Sequence, residues 1–322
     1  DEKSSYDPGY RPLQDEDFEA LSKAEVFEIA NDMQDSRLSL AGAQSKTGWF
    51  LPRGKDAKKA GSGDWMLPLG SAPSTHIVKI ASTKHPDLPF NELICMTAAS
   101  AAGLEIARSE ASDTIPGAFF SERYDRIWSN EPPSMSGFDV PLRLHQEDFC
   151  QAVGWPSYMK YETRPDSCYM ALCGRLIREQ SSNVIADTQM FARQVMVDYA
   201  LGNCDSHLKN HSFLYSPSWR EKRLAPAYDI VCTTIMGYDH NLGIDIGDHR
   251  VIDGVTPEDF EFMSQDLHLP LKMIKNIAAE VAEEVSAQLA ELASATGDLG
   301  RVALKIQTDS VERMRVLEQF SA

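Results

Sequence analysis

Residues 187–202, DTQMFARQVMVDYALG, form a helix candidate that is apolar nearly all round, with Phe191, Val195, Met196, Val197, Tyr199 and Leu201 spread over its circumference. Such a helix is stable only inside a core, so the chain must build a domain around it. Gly202-Asn203 is a C-cap pair that stops it. Directly behind comes CDSHLKNH, which puts Asp205, His207, Asn210 and His211 within seven positions. A buried helix that delivers a dense polar loop is a scaffold for chemistry.

The text before this helix is rich in strands. Residues 1–14 are polar with two prolines and read as an arm. Residues 15–33 space Phe18, Leu21, Val26, Ile29 and Met33 at helical intervals, with Asp15 as a candidate cap. LSLAGAQSKTGWFLP (38–52) reads as strand, Gly-containing turn and strand, and DWMLPLG (64–70) and THIVKIAS (75–82) as further strands. NELICMTAASAAGL (91–104) is a helix ended by Gly103, and GAFFSERYDRI (117–127) is a strand with a polar exit.

From about Leu144 the text becomes helical: HQEDFCQAVG, CYMALCGRLIREQ and the opening stretch are successive helix candidates. HSFLYSPSWREKRLAPAYDIV reads as a hairpin around Ser216-Pro217-Ser218. A short helix follows at 257–266. The next helix carries Ile274, Ile277, Val281, Val285 and Leu289 on one stripe, and a last helix spans about 298–319. The plan is a small α/β lobe followed by a larger, mainly helical one.

Composition bounds the rest. At 322 residues and 43% hydrophobic, the chain can bury a core for one large domain or two lobes. Net charge is −17, from 31 basic and 48 acidic side chains, a field that opposes binding to phosphate backbones or anionic lipid. The one basic cluster, Lys55, Lys58 and Lys59, sits in Gly-containing loop text. Six cysteines without a CxxC pair fit reduced, packed thiols. No stretch approaches the ~18–20 apolar residues of a membrane span, and the first residues are unlike a signal peptide, so a soluble cytoplasmic protein is expected. The chain begins at Asp1 rather than Met, which points to processing or trimming.

The polar loop admits three readings. As a zinc site, Asp205, His207 and His211 lack the regular element and the cysteine or HExxH partners that fix such ligands. As a plain turn, its polar groups satisfy backbone. As a phosphotransfer loop, Asp205 and Asn210 have the D-x-x-x-x-N spacing in which Asp takes the substrate proton and Asn holds Mg2+ on ATP phosphates. Asp229 in Tyr228-Asp229-Ile230, nineteen residues beyond Asn210, is the candidate second Mg2+ ligand. In the first lobe, Lys79 lies within apolar HIVKI, where an unpaired ammonium is costly, and Glu92 at the next helix start is its natural partner. AGAQSK (41–46), with one glycine, is a poor phosphate loop by pattern alone.

The combination of SLAGAQSK, THIVKI, NE at a helix start, ERYDR, RLHQEDFCQAVG, KYE, DSHLKN and PAYDI resembles the HipA-type serine/threonine kinases of bacterial toxin–antitoxin systems, in order from about Leu38 to Cys232. The resemblance implies an α+β, bilobal, protein-kinase-like fold: an N-lobe at 1–125 with an antiparallel sheet, and a helical C-lobe at 126–322. It implies ATP and Mg2+ as cofactors, with Asp205 catalytic and Asn210 and Asp229 on the metal. Lys79, paired with Glu92, would meet the ATP phosphates. Ala41, Gly42, Ala43, Gln44, Ser45 and Lys46 would form the phosphate-covering loop. Glu122, Arg123 and Tyr124 match the adenine-meeting hinge, and Asp125 and His207 lie near the ribose. Lys209 and Tyr228, beside the metal-binding pair, would be further cofactor-binding residues. Ser39 matches a serine that family members autophosphorylate; a phosphate there adds about −1.5 to −2 charge and should eject the loop.

Longer members carry roughly one hundred further residues before this core. The 37 or so residues before Ser39 make the chain most like the short HipT-type kinases, which act beside a DNA-binding HipB and a small HipS-type protein. Their Ser-x-Ser is here Arg37-Leu38-Ser39, with Ser36 close by. Partners implied are thus HipB- and HipS-type antitoxins, DNA only through the antitoxin, no membrane, and an aminoacyl-tRNA synthetase as substrate. The competing expectation is a catalytically silent kinase-fold subunit of a repressor complex.

Overall fold

The computed structural model describes residues 7–14, 17, 46–81, 86–163 and 167–322. Apart from Asp17, the helix expected over 15–33 lies outside the described residues, as do Ser39 and the loop residues 41–45. The described chain divides into two compact units. One comprises residues 1–93 and 107–144, the other 94–106 and 145–322.

The first unit is built on an antiparallel sheet. Strand β1 (Gly9–Pro12) precedes β2 (Lys46–Trp49), β3 (Met66–Leu69), β4 (His76–Ile80), β5 (Ser109–Ala111) and β6 (Ala118–Glu122). The main sheet runs β2-β4-β6-β5, and β1 pairs with β3. Alternation along β4 sends Val78 into a core with Trp49, Trp65, Ile115 and Phe120. Trp65 stacks on Phe120 at 4.5 Å between centroids, an arrangement worth about 0.5–1.5 kcal/mol beyond its buried area. The next residue, Lys79, therefore projects from the opposite face. Helix α1 (Leu88–Ala101) starts three residues before the NELICM text, and the division between units falls within it. Two short ribbons close the unit, β7 (Arg126–Ile127) with β10 (Leu142–Arg143) and β8 (Ser134–Met135) with β9 (Phe138–Asp139).

The second unit is mainly helical. Its text at HQEDFC, expected to be wholly helical, begins instead as strand β11 (Gln146–Asp148). Asp148 then caps the short helix α2 (Phe149–Ala152) by accepting from Gln151 N, and that cap sets the switch. Helix α3 (Tyr169–Gln180) leads to α4 (Val184–Leu201), whose Phe191, Val195, Met196, Val197, Tyr199 and Leu201 are all buried, as expected of the opening stretch. Gly202 ends α4 at φ 73°, the left-handed cap that only glycine adopts freely. Strands β12 (Ser212–Tyr215) and β13 (Lys222–Leu224) form the expected hairpin, with β11 added on its other side.

A ribbon the sequence did not announce, β14 (Asn241–Ile246) with β15 (His249–Val251), follows. Helices α5 (Pro257–Asp266), α6 (Leu271–Ala293) and α7 (Gly297–Ser321) complete the unit. The stripe Ile274, Ile277, Val281, Val285 and Leu289 is buried throughout, as its spacing requires. All six cysteines are free thiols, and only Cys168 is exposed. Among the described residues no helix is long and apolar enough to cross a membrane.

Candidate active site

The candidate residues fall into two sets, one in each unit. In the first unit, Lys79 on β4 points its ammonium at Glu92 on α1, with Nζ 2.8 Å from Oε1 and 2.7 Å from Oε2. Both side chains are almost fully shielded, at 6% and 3% exposure. A lysine can lie inside a sheet only when such a partner offsets its desolvation. Lys46 stands opposite Lys79 across the β2–β4 ladder, so the last residue of the expected phosphate loop borders the ion pair.

Glu122 ends β6 opposite His76, three residues from Lys79 on β4. The backbone then turns: Glu122 N donates to Arg108 O at 2.7 Å and Arg123 N to Thr75 O at 2.9 Å. Tyr124 sits half-buried at this turn. Asp125 is buried and gripped from two sides. Arg123 donates to both of its oxygens at 2.9 and 2.7 Å, and the Arg126 guanidinium lies 2.7 Å from Oδ2. Burial pushes the Asp125 carboxyl up, but the two guanidiniums outweigh it and hold it below the usual range. Asp125 thereby shapes the turn that follows β6.

In the second unit, the chain leaves α4 at Gly202 and is pinned at once. Cys204 N donates to Thr233 Oγ1, whose hydroxyl in turn donates to Gly202 O. Asp205 projects with its side chain 53% exposed. Its backbone carbonyl accepts from His207 N at 2.9 Å and from Asn210 Nδ2 at 2.9 Å. Because the Asn210 amide nitrogen is engaged there, its Oδ1 faces away from the Asp205 backbone as an acceptor. A hard divalent cation prefers such an amide oxygen together with a carboxylate, so Asn210 and Asp229 are chemically suited to Mg2+.

Asp229 sits at φ 61°, a conformation that a residue with a side chain seldom adopts, and such strain concentrates at functional sites. Tyr228 beside it donates to Lys209 O at 2.8 Å and lies 2.8 Å from Ser212 Oγ, so the segment carrying Asp229 is tied to the loop that carries Asn210. Lys209 itself is held by Asp148 at 2.5 Å.

His207 is buried and, chiefly through desolvation, its imidazole is pushed down to about 4, although Asp205 and Asp229 both act on it in the opposite sense. His211 is pushed down to about 3, mainly by burial. Both rings are neutral near pH 7. Among the described residues no cluster of three or more His, Cys, Asp or Glu is arranged to hold a metal ion.

Several residues that support this loop were not singled out by sequence. Asp198 on α4 is fully buried and accepts from Asn203 Nδ2 and Ser206 Oγ, both at 2.7 Å, so it braces the loop from beneath. Burial pushes its carboxyl up to about 7, only partly countered by those two hydrogen bonds. Gly243 packs its backbone against Ser206. An acid near the end of a mainly apolar core helix is the signal that could have flagged Asp198.

The sequence model of the HipA-like C-terminal domain matches residues 38–289, most of the chain. The chain belongs to that family. The chain is 27% identical over 299 residues to the Y4mE protein of Sinorhizobium fredii, covering 89% of this chain and 67% of that protein. It is 28% identical over 273 residues to the serine/threonine-protein kinase toxin HipA of Shewanella oneidensis, covering 80% and 57%. The matched region thus spans little more than half to two thirds of these relatives' own length. The solved structure of Shewanella HipA with HipB and operator DNA superposes with a TM-score of 0.74 at 23% identity, over 97% of this chain and 74% of that one. The Helicobacter pylori kinase CtkA gives 0.50 at 11% identity, over 76% and 90%. The fold is therefore α+β and protein-kinase-like, as the resemblance implied.

Proposed function

We propose that this HipA-like chain is an ATP- and Mg2+-dependent protein serine/threonine kinase and the toxin of a toxin–antitoxin system. The observation that carries this reading is the Asp205–Asn210 loop: an accessible carboxylate at a capped helix end, with its own carbonyl bound by the asparagine five residues on. Phosphoryl transfer asks a protein mainly for positioning and charge stabilisation. Asp205 accepts the proton of the substrate hydroxyl as that oxygen bonds to the γ-phosphorus and the bond to ADP breaks. Asn210 and Asp229 hold Mg2+, which when bound neutralises charge on the phosphates.

Lys79, fixed by Glu92, binds ATP phosphate oxygens, and Lys46 with residues 41–45 covers them. The backbone of Glu122–Tyr124 meets the adenine. His207, neutral at pH 7, offers a ribose-side contact without adding charge. Autophosphorylation at Ser39, just before the phosphate loop, adds about −1.5 to −2 charge beside the ATP phosphates and switches the enzyme off. The HipA–HipB–DNA composition of the Shewanella complex supports a HipB-type antitoxin as partner, with DNA reached through it. The sequence resemblance to the short HipT-type kinases alone suggests a small HipS-type protein beside it. The substrate is an aminoacyl-tRNA synthetase, met in the bacterial cytoplasm.

Thermal unfolding with ATP, with and without Mg2+, tests this reading. A ligand at 100 times its Kd stabilises by about 2.7 kcal/mol, so Mg–ATP should raise Tm by several degrees. Asn210→Ala and Asp229→Ala should remove the Mg2+-dependent part. An unchanged Tm at millimolar Mg–ATP contradicts it.

A further inference from the structure

The tripeptide Lys160-Tyr161-Glu162 touches the catalytic loop at several points. Tyr161 donates its phenolic hydrogen to Asp205 Oδ1 at 2.5 Å. Lys160 O accepts from Leu208 N at 3.2 Å, within the same loop. Glu162, buried, accepts from the backbone amides of Tyr169 and Asp245, each at 3.0 Å. Its own N donates to Gly243 O at 3.0 Å, and Gly243 packs on Ser206. The segment is thus anchored to the start of α3 and to β14, and it presents one hydroxyl to one carboxylate oxygen.

The Tyr161 ring is itself held, edge-on to His207 at 5.0 Å between centroids and beneath the Lys160 ammonium at 4.7 Å. Its hydroxyl therefore reaches Asp205 from a fixed direction. A carboxylate on a loop can rotate about its Cβ–Cγ bond; with Oδ1 bound, that rotation is stopped and Oδ2 is the oxygen left to meet a substrate. Burial and the neighbouring carboxylate push the Tyr161 phenol well above its ordinary range, so it stays a donor near neutral pH.

Resting on the reading of Asp205 as the base, we propose that Tyr161 is a positioning residue for the phosphoryl-transfer step, fixing the Asp205 carboxylate through its Oδ1 so that Oδ2 takes the substrate proton. Losing a hydrogen bond that positions the reacting carboxylate lowers the rate by about tenfold or more. Tyr161→Phe keeps the ring on His207 and under Lys160 and removes only the hydroxyl.

The test follows first-order incorporation of labelled phosphate into the purified chain across an ATP titration, for wild type, Tyr161→Phe and Asp205→Ala. Expected for Tyr161→Phe is a maximal rate about tenfold lower, with the half-saturating ATP concentration and the Tm unchanged. A Tyr161→Phe maximal rate equal to wild type beside an inactive Asp205→Ala overturns the role of Tyr161 and leaves Asp205 as base. A raised half-saturating ATP with an unchanged maximal rate overturns it likewise, as does phosphotyrosine at Tyr161, since a phosphorylated ring cannot donate. An Asp205→Ala protein as fast as wild type overturns the underlying reading and the role of Tyr161 together.

Discussion

Lys79 and Glu92 meet through two hydrogen bonds of 2.8 and 2.7 Å, with both side chains almost completely shielded from water. Removing one partner of such a pair strands a buried charge and costs about 3–5 kcal/mol. Lys79→Met should therefore lower the urea-unfolding free energy by about that amount. Replacing both, as Lys79→Met with Glu92→Leu, should restore most of the stability yet leave the protein without phosphoryl transfer. Recovery of activity in the double variant would show that the pair only holds the fold.

Asp198 gives a pH dependence of definite sign. Its carboxyl titrates at about 7 when folded, against about 4 in an unfolded chain. The folded state thus holds a proton that the unfolded state has released between those limits. The stability this provides is complete below about pH 4 and is lost as pH rises through 7. Unfolding free energy should fall from pH 5 to pH 8, and the fall should be smaller in Asp198→Asn, which keeps an acceptor but cannot ionise. An identical pH profile in the variant would place the effect elsewhere, for example at Glu162, another buried acid pushed up to about 7 by burial.

Gly243 leaves no room for a side chain. A Cβ there would lie 2.6 Å from Ser206 O and 3.0 Å from His207 N, both backbone atoms of the Asp205 loop. Gly243→Ala must push that loop aside, and overpacking of this kind costs about 1–3 kcal/mol. The expected result is a catalytic loss of tenfold or more, because the displaced loop carries Asp205. Wild-type rates in Gly243→Ala would mean that the loop yields without moving its carboxylate.

Local pattern made much of this legible. The all-round apolar run of 187–202 announced a core helix, and Gly202 its end. Lys79 in an apolar strand asked for a carboxylate and found Glu92, because the cost of a buried ammonium is visible in sequence. What stayed hidden depended on contacts distant along the chain. Tyr161 is 44 residues from Asp205, and Asp245 lies 83 from Glu162. The ribbon Asn241–Ile246 with His249–Val251 is too short and polar to stand out, and its Gly243 gains meaning only against Ser206. HQEDFC read as helix because its acids and amides suit a first turn, whereas pairing with Ser212–Tyr215 drew Gln146–Asp148 into a sheet. The Asp125 carboxylate reads by motif as a nucleotide contact, and the grip of Arg123 and Arg126 on it shows only in three dimensions.

The most direct measurement is phosphate transfer from labelled ATP by purified wild type and Asp205→Ala, with the acceptor site mapped by mass spectrometry. Because Asp205 is half-exposed, the Asn210 contact is to its backbone, and the bond lost is the one from the part-exposed Tyr161 hydroxyl, the substitution should change Tm only slightly. The expected result is Mg2+-dependent incorporation at Ser39 by wild type and a loss of at least a thousandfold in the variant, in keeping with removal of a base plus its positioning. Equal incorporation by the two proteins would contradict Asp205 as the catalytic base.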